Sequence, residues 1–345
     1  MDSAGLIDLQ VNGYAGVDFN DAGLTADALD HALAAMLRAG VTACLPTIIT
    51  ASEADLAARL AALDAAVARS RLGPLMVPGF HLEGPFLNPS TGTRGCHPAR
   101  CMVPPDPALL ARLCAGLRRP ILLLTLAPEL PGAATLIRAA RAAGMLVAIG
   151  HAAPTAAEIA AAAVAGATVS THLGNGLPAL LPKLDNPLMA QLADDRLAAC
   201  FVADGIHLPP FALKAMLRAK GVVRSVLVTD AVAGADAPPG DYRFAGVAIR
   251  RGEDGSVRLP EAGTLAGAAL RLDQAVRNVV GWDFADAGQA IAMASANPAA
   301  LLAGLGVSVP GTAPGGTAVA WSADLHVRRV RLGDTDTWSD RHDEP

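Results

Sequence analysis

Eight short, apolar, β-prone runs alternate with helical patterns over the first 230 residues, and few folds accommodate such a chain. The runs are 6–11, 41–47, 75–80, 121–126, 145–149, 167–171, 197–203 and 225–229. The stretches between them carry helix signals. Thr25 is an N-cap for a helix over 26–39, which Gly40 stops. Ser52 with Asp55 is close to a capping box, and Thr155 with Glu158 is a complete one. Gly166 ends the helix over 156–165, and further helices are expected over 107–117, 132–143 and 210–219. Eight strand–helix pairs are the count of a (β/α)8 TIM barrel, an α/β fold. A doubly wound open sheet is the alternative. The glycine-rich phosphate loop it needs after its first strand is not there.

In such a barrel, catalytic groups project from the C-terminal ends of different strands. Here the polar residues fall at those ends: Gln10 and Asn12 on the first, Glu83 on the third, His151 on the fifth. His172 follows on the sixth, Asp204 on the seventh and Asp230 on the eighth. Glu83 stands in HLEGPFLNP, residues 81–89. A buried lone carboxylate is costly unless something pairs with it. One glutamate and two histidines on separate strand ends make a three-ligand metal site with a position left for water. Imidazole and carboxylate ligands suit zinc, iron, cobalt or manganese. One divalent ion per subunit is expected, with zinc first.

Asp230 is then left over as a general base. It can take a proton from a metal-acidified water and pass it to a leaving amine, which describes amide hydrolysis. Its alternative is a helix N-cap in the Thr-Asp-Ala turn. His97, in Gly95-Cys96-His97-Pro98, is either a carbonyl-polarising group or a solvated loop histidine. The same pair of readings holds for His207 as a substrate contact. Asn175, in His172-Leu173-Gly174-Asn175-Gly176, either offers its amide to an anion or holds a turn.

Past residue 230 the rhythm changes. Residues 242–259 alternate polar and apolar around Asp254-Gly255, a hairpin signal. Helices are expected over 267–281, 286–294 and 297–303, then β-prone pieces over 317–321 and 325–332. The hairpin and the final pieces read as one small β appendage, and the polar tail from Gly333 reads as frayed. This divides the chain into a barrel over 1–240, a hairpin over 241–262, barrel-completing helices over 263–310, and terminal strands with a tail over 311–345.

Composition narrows the function classes. The 345 residues carry a net charge of −5, are 52% hydrophobic and only 17% charged. That suits one large, heavily buried domain and argues against disorder and against a nucleic-acid partner. No apolar run reaches the length of a membrane span, and the N-terminus lacks a secretory pattern, so a cytoplasmic chain is expected. Five cysteines, with no C-x-x-C pair, read as reduced thiols. Cys96 reads as a small packed residue, or as a ligand or nucleophile.

In order along the chain stand LIDLQVNG (6–13), HLEGPFLNP (81–89), GCHP (95–98), LAPE (126–129) and GH (150–151). THLGNGLP (171–178), ADGIH (203–207), VTDA (228–231) and LAGAALRLDQAVRN (265–278) follow, with terminal Asn-Pro-Ala and Gly-Thr elements. Together these resemble the N-acetylglucosamine-6-phosphate deacetylase family of the amidohydrolase superfamily, over nearly the whole chain. The resemblance implies that Glu83, His151 and His172 hold a divalent metal. It implies Asp230 as general acid and base, and His97 as the group that polarises the acetyl carbonyl. Asn175, Gly176, His207, Gln10 and Asn12 are the implied substrate contacts. The implied products are acetate and glucosamine 6-phosphate, and the implied assembly is a homodimer in which a basic residue of the neighbouring subunit reaches the phosphate.

Departures from the family pattern fall mostly in the substrate shell. Many superfamily members have His-x-His on the first strand and bind two metals; Gln10-Val11-Asn12 here is the pattern of the one-metal branch. Lys183 stands where the family has arginine, and lysine meets a phosphate without a bidentate fork. Gly174 replaces an aromatic residue, and Gly150-His151-Ala152-Ala153 replaces Gly-His-Ser-Asn. The family also has a longer segment before the first barrel strand. The chain therefore reads as a shortened form or one with a misassigned start. If that segment is absent, residues 317–332 expose an unpaired edge and the β appendage is incomplete. Three functions stay open: deacetylation of N-acetylglucosamine 6-phosphate, hydrolysis of another N-acyl amine such as N-acetylgalactosamine 6-phosphate, and non-catalytic sugar binding.

Overall fold

The structure, a computed structural model, describes residues 1–309 and 319–332, and the backbone of Thr335–Trp338. Thr317, the terminal Gly-Thr element and the tail past residue 338 lie outside the described residues. Eight parallel strands form the expected barrel: β1 (Leu6–Val11), β2 (Val41–Ile49), β3 (Phe80–Glu83) and β4 (Ile121–Leu126). β5 (Leu146–Ile149), β6 (Val169–Ser170), β7 (Ala198–Phe201) and β8 (Ser225–Leu227) complete it, each strand beside its sequence neighbours. The strands are almost wholly buried, as expected for a sheet with side chains packed inside and helices outside. Helix Ala26–Arg38 shows how the outer ring attaches. Its Leu29, Ala32, Leu33, Met36 and Leu37 recur at helical spacing and are buried. Each buried leucine of this kind contributes about 1.5–3 kcal/mol.

The seam between β8 and β1 is closed by few ladder bonds. Asp230 N donates to Gln10 O at 2.9 Å, and Asn12 N donates to Ala231 O at 2.7 Å. Below them the Asp8 carboxylate fills the seam, accepting from Thr229 Oγ1 at 2.5 Å and Thr229 N at 3.2 Å. Burial pushes the Asp8 carboxyl up to about 7, although those hydrogen bonds act to lower it.

Several expectations need correction. Residues 75–80 are not the third strand. Gly73–Met76 forms a helical turn, and the strand begins after Pro78-Gly79, so Glu83 is itself a strand residue. The predicted hairpin is a four-stranded antiparallel sheet: β9 (Gly240–Phe244), β10 (Val247–Arg251), β11 (Ser256–Arg258) and β12 (Leu265–Ala268). The Asp254-Gly255 turn joins β10 to β11 as expected, but a second turn at Ala245-Gly246 splits the preceding run. The following helix starts at Leu272 because the residues before it pair as β12.

The terminal pieces do not join that sheet. β13 (Val319–Trp321), β14 (Val327–Leu332) and β15 (Thr335–Trp338) form a separate one, with Asp2–Ser3 as its outer strand. Asp2 pairs with Ala320, and Trp321 Nε1 donates to Ser3 Oγ at 2.8 Å. The edge expected to be bare is therefore covered. Thr335–Trp338 also forms a strand where fraying was expected. The β9–β12 sheet instead covers the barrel mouth: Ala268 N donates to Asp230 O at 2.9 Å, and Val232 N donates to Ala268 O at 3.0 Å.

Candidate active site

Strand ends bring the predicted groups together at that mouth. Glu83 closes β3, His151 and His172 follow β5 and β6, and Asp230 follows β8. The Glu83 Oε1 atom lies 3.0 Å from His172 Nε2 and 3.3 Å from His151 Nε2, and the two Nε2 atoms are 3.1 Å apart. His97 adds a third nitrogen, its Nε2 3.8 Å from Glu83 Oε2. The ring of His97 packs against His151 with centroids 4.3 Å apart.

These residues fit a divalent ion. His151 Nδ1 donates to the carbonyl of Thr93 at 2.7 Å, which fixes the tautomer and leaves a lone pair on Nε2. Two nitrogens and a carboxylate oxygen then converge with spacings of 3.0–3.3 Å. Ligands about 2.0–2.2 Å from one zinc ion stand at about such spacings from one another. Glu83 is wholly buried; burial alone would raise its pKa, yet the His151 and His172 imidazoles packed against it hold it well below the usual range. His172 is raised, because its bond to Glu83 outweighs burial. Burial pushes His97 down to about 3, so its ring is neutral at physiological pH.

Asp230 sits across from these donors. Its Oδ1 accepts from Asn12 Nδ2 at 2.7 Å and from Gln10 Nε2 at 3.3 Å. Gln10 Nε2 also reaches Glu83 Oε1 at 3.0 Å, so one amide bridges both carboxylates. Burial raises the Asp230 carboxyl above the usual carboxylate range. One layer below, His81 is buried between Thr47 Oγ1 at 3.2 Å and Thr125 Oγ1 at 2.8 Å, and Thr125 bonds Thr171. That hydroxyl chain braces the strand that carries Glu83.

A cavity of about 260 Å3 opens above the acids. Of the residues singled out from sequence, Asn12, Glu83, His97, His151, His172, Asn175, Gly176, His207 and Asp230 line it. Gln10 is buried behind Asn12 and does not line it. Lys183 is exposed on the loop over 177–186 and is not among the lining residues. His207 is held by Asp204, whose Oδ2 lies 2.6 Å from its Nδ1. Gly176 is required by packing: a Cβ there would meet His151 Nδ1 at 2.8 Å. Gly174 has φ +101°, and a Cβ would meet Leu208 at 2.6 Å. Leu208 thus fills the space behind the position where the family pattern has an aromatic ring.

Residues 3–307 match the Amidohydrolase family. This chain belongs to the amidohydrolase family. Within it, an N-acetylgalactosamine-6-phosphate deacetylase of Escherichia coli O157:H7 is 34% identical over 326 residues, 94% of this chain and 84% of the relative. An N-acetylglucosamine-6-phosphate deacetylase of Bacillus subtilis (strain 168) is 31% identical over 280 residues, 80% of this chain and 68% of that protein. The crystal structure of N-acetyl-D-glucosamine-6-phosphate deacetylase from Mycobacterium smegmatis matches with TM-score 0.86 at 29% identity, over 96% of this chain and 86% of that one. An aspartate-to-alanine mutant of that enzyme, in complex with N-acetyl-D-glucosamine-6-phosphate, matches with TM-score 0.85 at 30% identity, over 95% and 84%.

Some parts of this amidohydrolase site left no usable trace in its sequence. Thr93 acts through its backbone carbonyl, which any residue supplies. Thr50, whose Oγ1 lies 3.0 Å from His97 Nδ1, looks like an ordinary strand-end threonine. Phe244, Thr264 and Leu265 line the cavity from the β9–β12 sheet, which had read as a remote appendage. The Asp204–His207 pair could have been found, because three-residue spacing in a turn brings such side chains together.

Proposed function

We propose that this chain removes the acetyl group of N-acetylglucosamine 6-phosphate, giving glucosamine 6-phosphate and acetate. The observation that carries this reading is the three-donor face of Glu83, His151 and His172 opposite Asp230 in one cavity. The named activity of the Bacillus subtilis relative supports it. A divalent ion, zinc in our reading, held by those three side chains supplies water acidified toward neutrality and a Lewis acid for the carbonyl. Asp230 receives the proton of the attacking water, and Asn12 and Gln10 hold its carboxylate in place. It then gives that proton to the leaving amine as the carbon–nitrogen bond breaks. His97 is neutral; Thr50 Oγ1 lies 3.0 Å from its Nδ1 and holds the ring that polarises the acyl oxygen. Asn175, Gly176 and His207 receive the sugar phosphate.

We also infer a homodimer in which Lys183 meets the partner's substrate phosphate. Its loop exposes Leu180 by 90% and Leu184 by 75%, an apolar surface suited to a subunit contact. The five cysteines are free, and sugar phosphates are intracellular compounds, which supports a cytoplasmic setting. No helix among the described residues is long and apolar enough to cross a membrane. A second reading takes N-acetylgalactosamine 6-phosphate as substrate, favoured by the Escherichia coli O157:H7 relative's name. Acetate release from a panel of N-acetylated hexosamines, each with and without 6-phosphate, tests both. Preference for the gluco phosphate supports the first reading, preference for the galacto phosphate the second, and no release from any sugar overturns both.

A further inference from the structure

The active-site cavity shares one wall with a smaller cavity of about 120 Å3. Ile49, Cys96 and Phe244 line both. With Leu265, these are the apolar side chains of the active-site lining. Their place in the barrel gives the wall a direction. Ile49 ends β2 and Cys96 follows β3, whereas Asn175 follows β6 and His207 follows β7. In a ring of eight strands, β2 stands opposite β6 and β3 opposite β7. The apolar wall and the polar contacts therefore face each other across the Glu83–Asp230 centre. An amide bound over that centre, with its sugar phosphate toward Asn175 and His207, points its acyl group at Ile49 and Phe244.

We propose that Phe244 sets the length of the acyl chain this enzyme removes. This rests on reading the chain as an N-acyl amino-sugar hydrolase. Phe244 ends β9 just before the Ala245-Gly246 turn, and that turn is tied to the barrel from two sides. Ala245 N donates to Asp18 Oδ2 at 2.7 Å, and Arg59 Nη2 donates to Ala245 O at 3.2 Å. The ring is buried among Ile49, Val232, Ile249, Val257 and Ala266. A side chain held this way cannot swing aside for a longer substrate. Behind it, the second cavity has room for several water-sized groups. Shortening Phe244 joins the two spaces and gives an extended alkyl chain somewhere to go.

The test compares wild type, Phe244→Leu and Phe244→Ala on the N-acetyl, N-butanoyl and N-hexanoyl amides of glucosamine 6-phosphate. The readout is the ratio of kcat/KM for the longer amide to that for the acetyl amide, which does not depend on the fraction of folded enzyme. Wild type is expected to favour acetyl strongly. Phe244→Ala is expected to raise the butanoyl-to-acetyl ratio by at least about tenfold, with Phe244→Leu between the two. A ratio that stays at the wild-type value in both variants, with acetate still released, overturns the proposal alone. Absence of acetate release by wild type overturns the deacetylase reading and the proposal with it.

Discussion

Replacing Asp230 by asparagine separates the base from the metal site, and its consequences follow from the hydrogen bonds around it. The carboxylate accepts from Asn12 and Gln10 through a single oxygen, Oδ1. An asparagine oxygen can accept both bonds, so the side chain keeps its orientation and its Nδ2 takes the place of Oδ2. That nitrogen cannot accept a proton from water. Losing a positioned acid–base group costs about 10²–10⁴-fold in rate, which is about 3–5 kcal/mol of transition-state stabilisation. Glu83, His151 and His172 are untouched, so a purified subunit is expected to retain one divalent ion. Wild-type kcat should rise with pH as Asp230 loses its proton, because the base works only when ionised. Asp230→Asn should lack this acidic limb. The measurements are kcat against pH and metal content by elemental analysis. Loss of the metal from Asp230→Asn would make Asp230 a ligand, and unimpaired turnover would remove it from the chemistry; either result refutes the reasoning.

Three further outcomes are expected. His97→Asn should lower kcat by about a hundredfold or more while metal content stays at one ion; loss of the ion would assign His97 as a fourth ligand, which its 3.8 Å approach to Glu83 makes a pointed check. Lys183→Ala should raise KM for the phosphorylated sugar far more than for its unphosphorylated analogue, and equal effects on both would exclude Lys183 as a phosphate contact. Asp8 takes up a proton on folding, because its pKa of about 7 is raised above the unfolded value; its stabilising contribution is complete below about pH 4 and is lost as pH rises through 7. Between about pH 5 and pH 8, wild type should therefore lose about 2 kcal/mol more stability than Asp8→Asn in urea unfolding, and parallel pH profiles would contradict the seam described above.

The barrel and the cluster of polar groups at its mouth were legible because they obey one simple arrangement. Apolar runs supply the strands, and the chemistry sits where each run stops, so Glu83, His151, His172 and Asp230 could be placed without knowing any distance. The third strand was misplaced because residues 75–80 are apolar on both sides of Pro78-Gly79. Those two residues break the run, and the part before them closes a helical turn instead. The β9–β12 sheet was only half legible. Its Ala245-Gly246 turn lacks the usual asparagine or aspartate, and β12 is built of small residues that suit a helix equally well. Pairing of Ala268 with the backbone of Asp230 decides that conflict, and such pairing is invisible in a local pattern. Asp2–Ser3 was missed for a related reason, since two residues carry no periodicity and act as a strand only because Trp321 and its neighbours present an edge.

Three of the residues proposed to carry the chemistry also carry backbone strain. His151, His172 and Asp230 have φ of 50°, 25° and 50°. Left-handed backbone at a residue with a Cβ costs of order 1–3 kcal/mol, so each must be held by its surroundings. The holding bonds are on hand. His151 O accepts from Asn88 N at 3.0 Å, and Asp230 is clasped between Gln10 O and Ala268 N. His172 O accepts from Asn175 N at 3.0 Å and from Asn175 Nδ2 at 3.1 Å. Glycine at any of the three would relieve the strain and remove the reacting group, so the strain persists where the chemistry requires a side chain. The bonds from Asn175 have a consequence for the substrate side. The residue proposed to meet the sugar phosphate also fixes the backbone of a proposed metal ligand, so a change at Asn175 should disturb ion affinity and substrate affinity together. On the proposed reading, a residue that meets the sugar and a residue that holds the ion thus belong to one hydrogen-bonded unit.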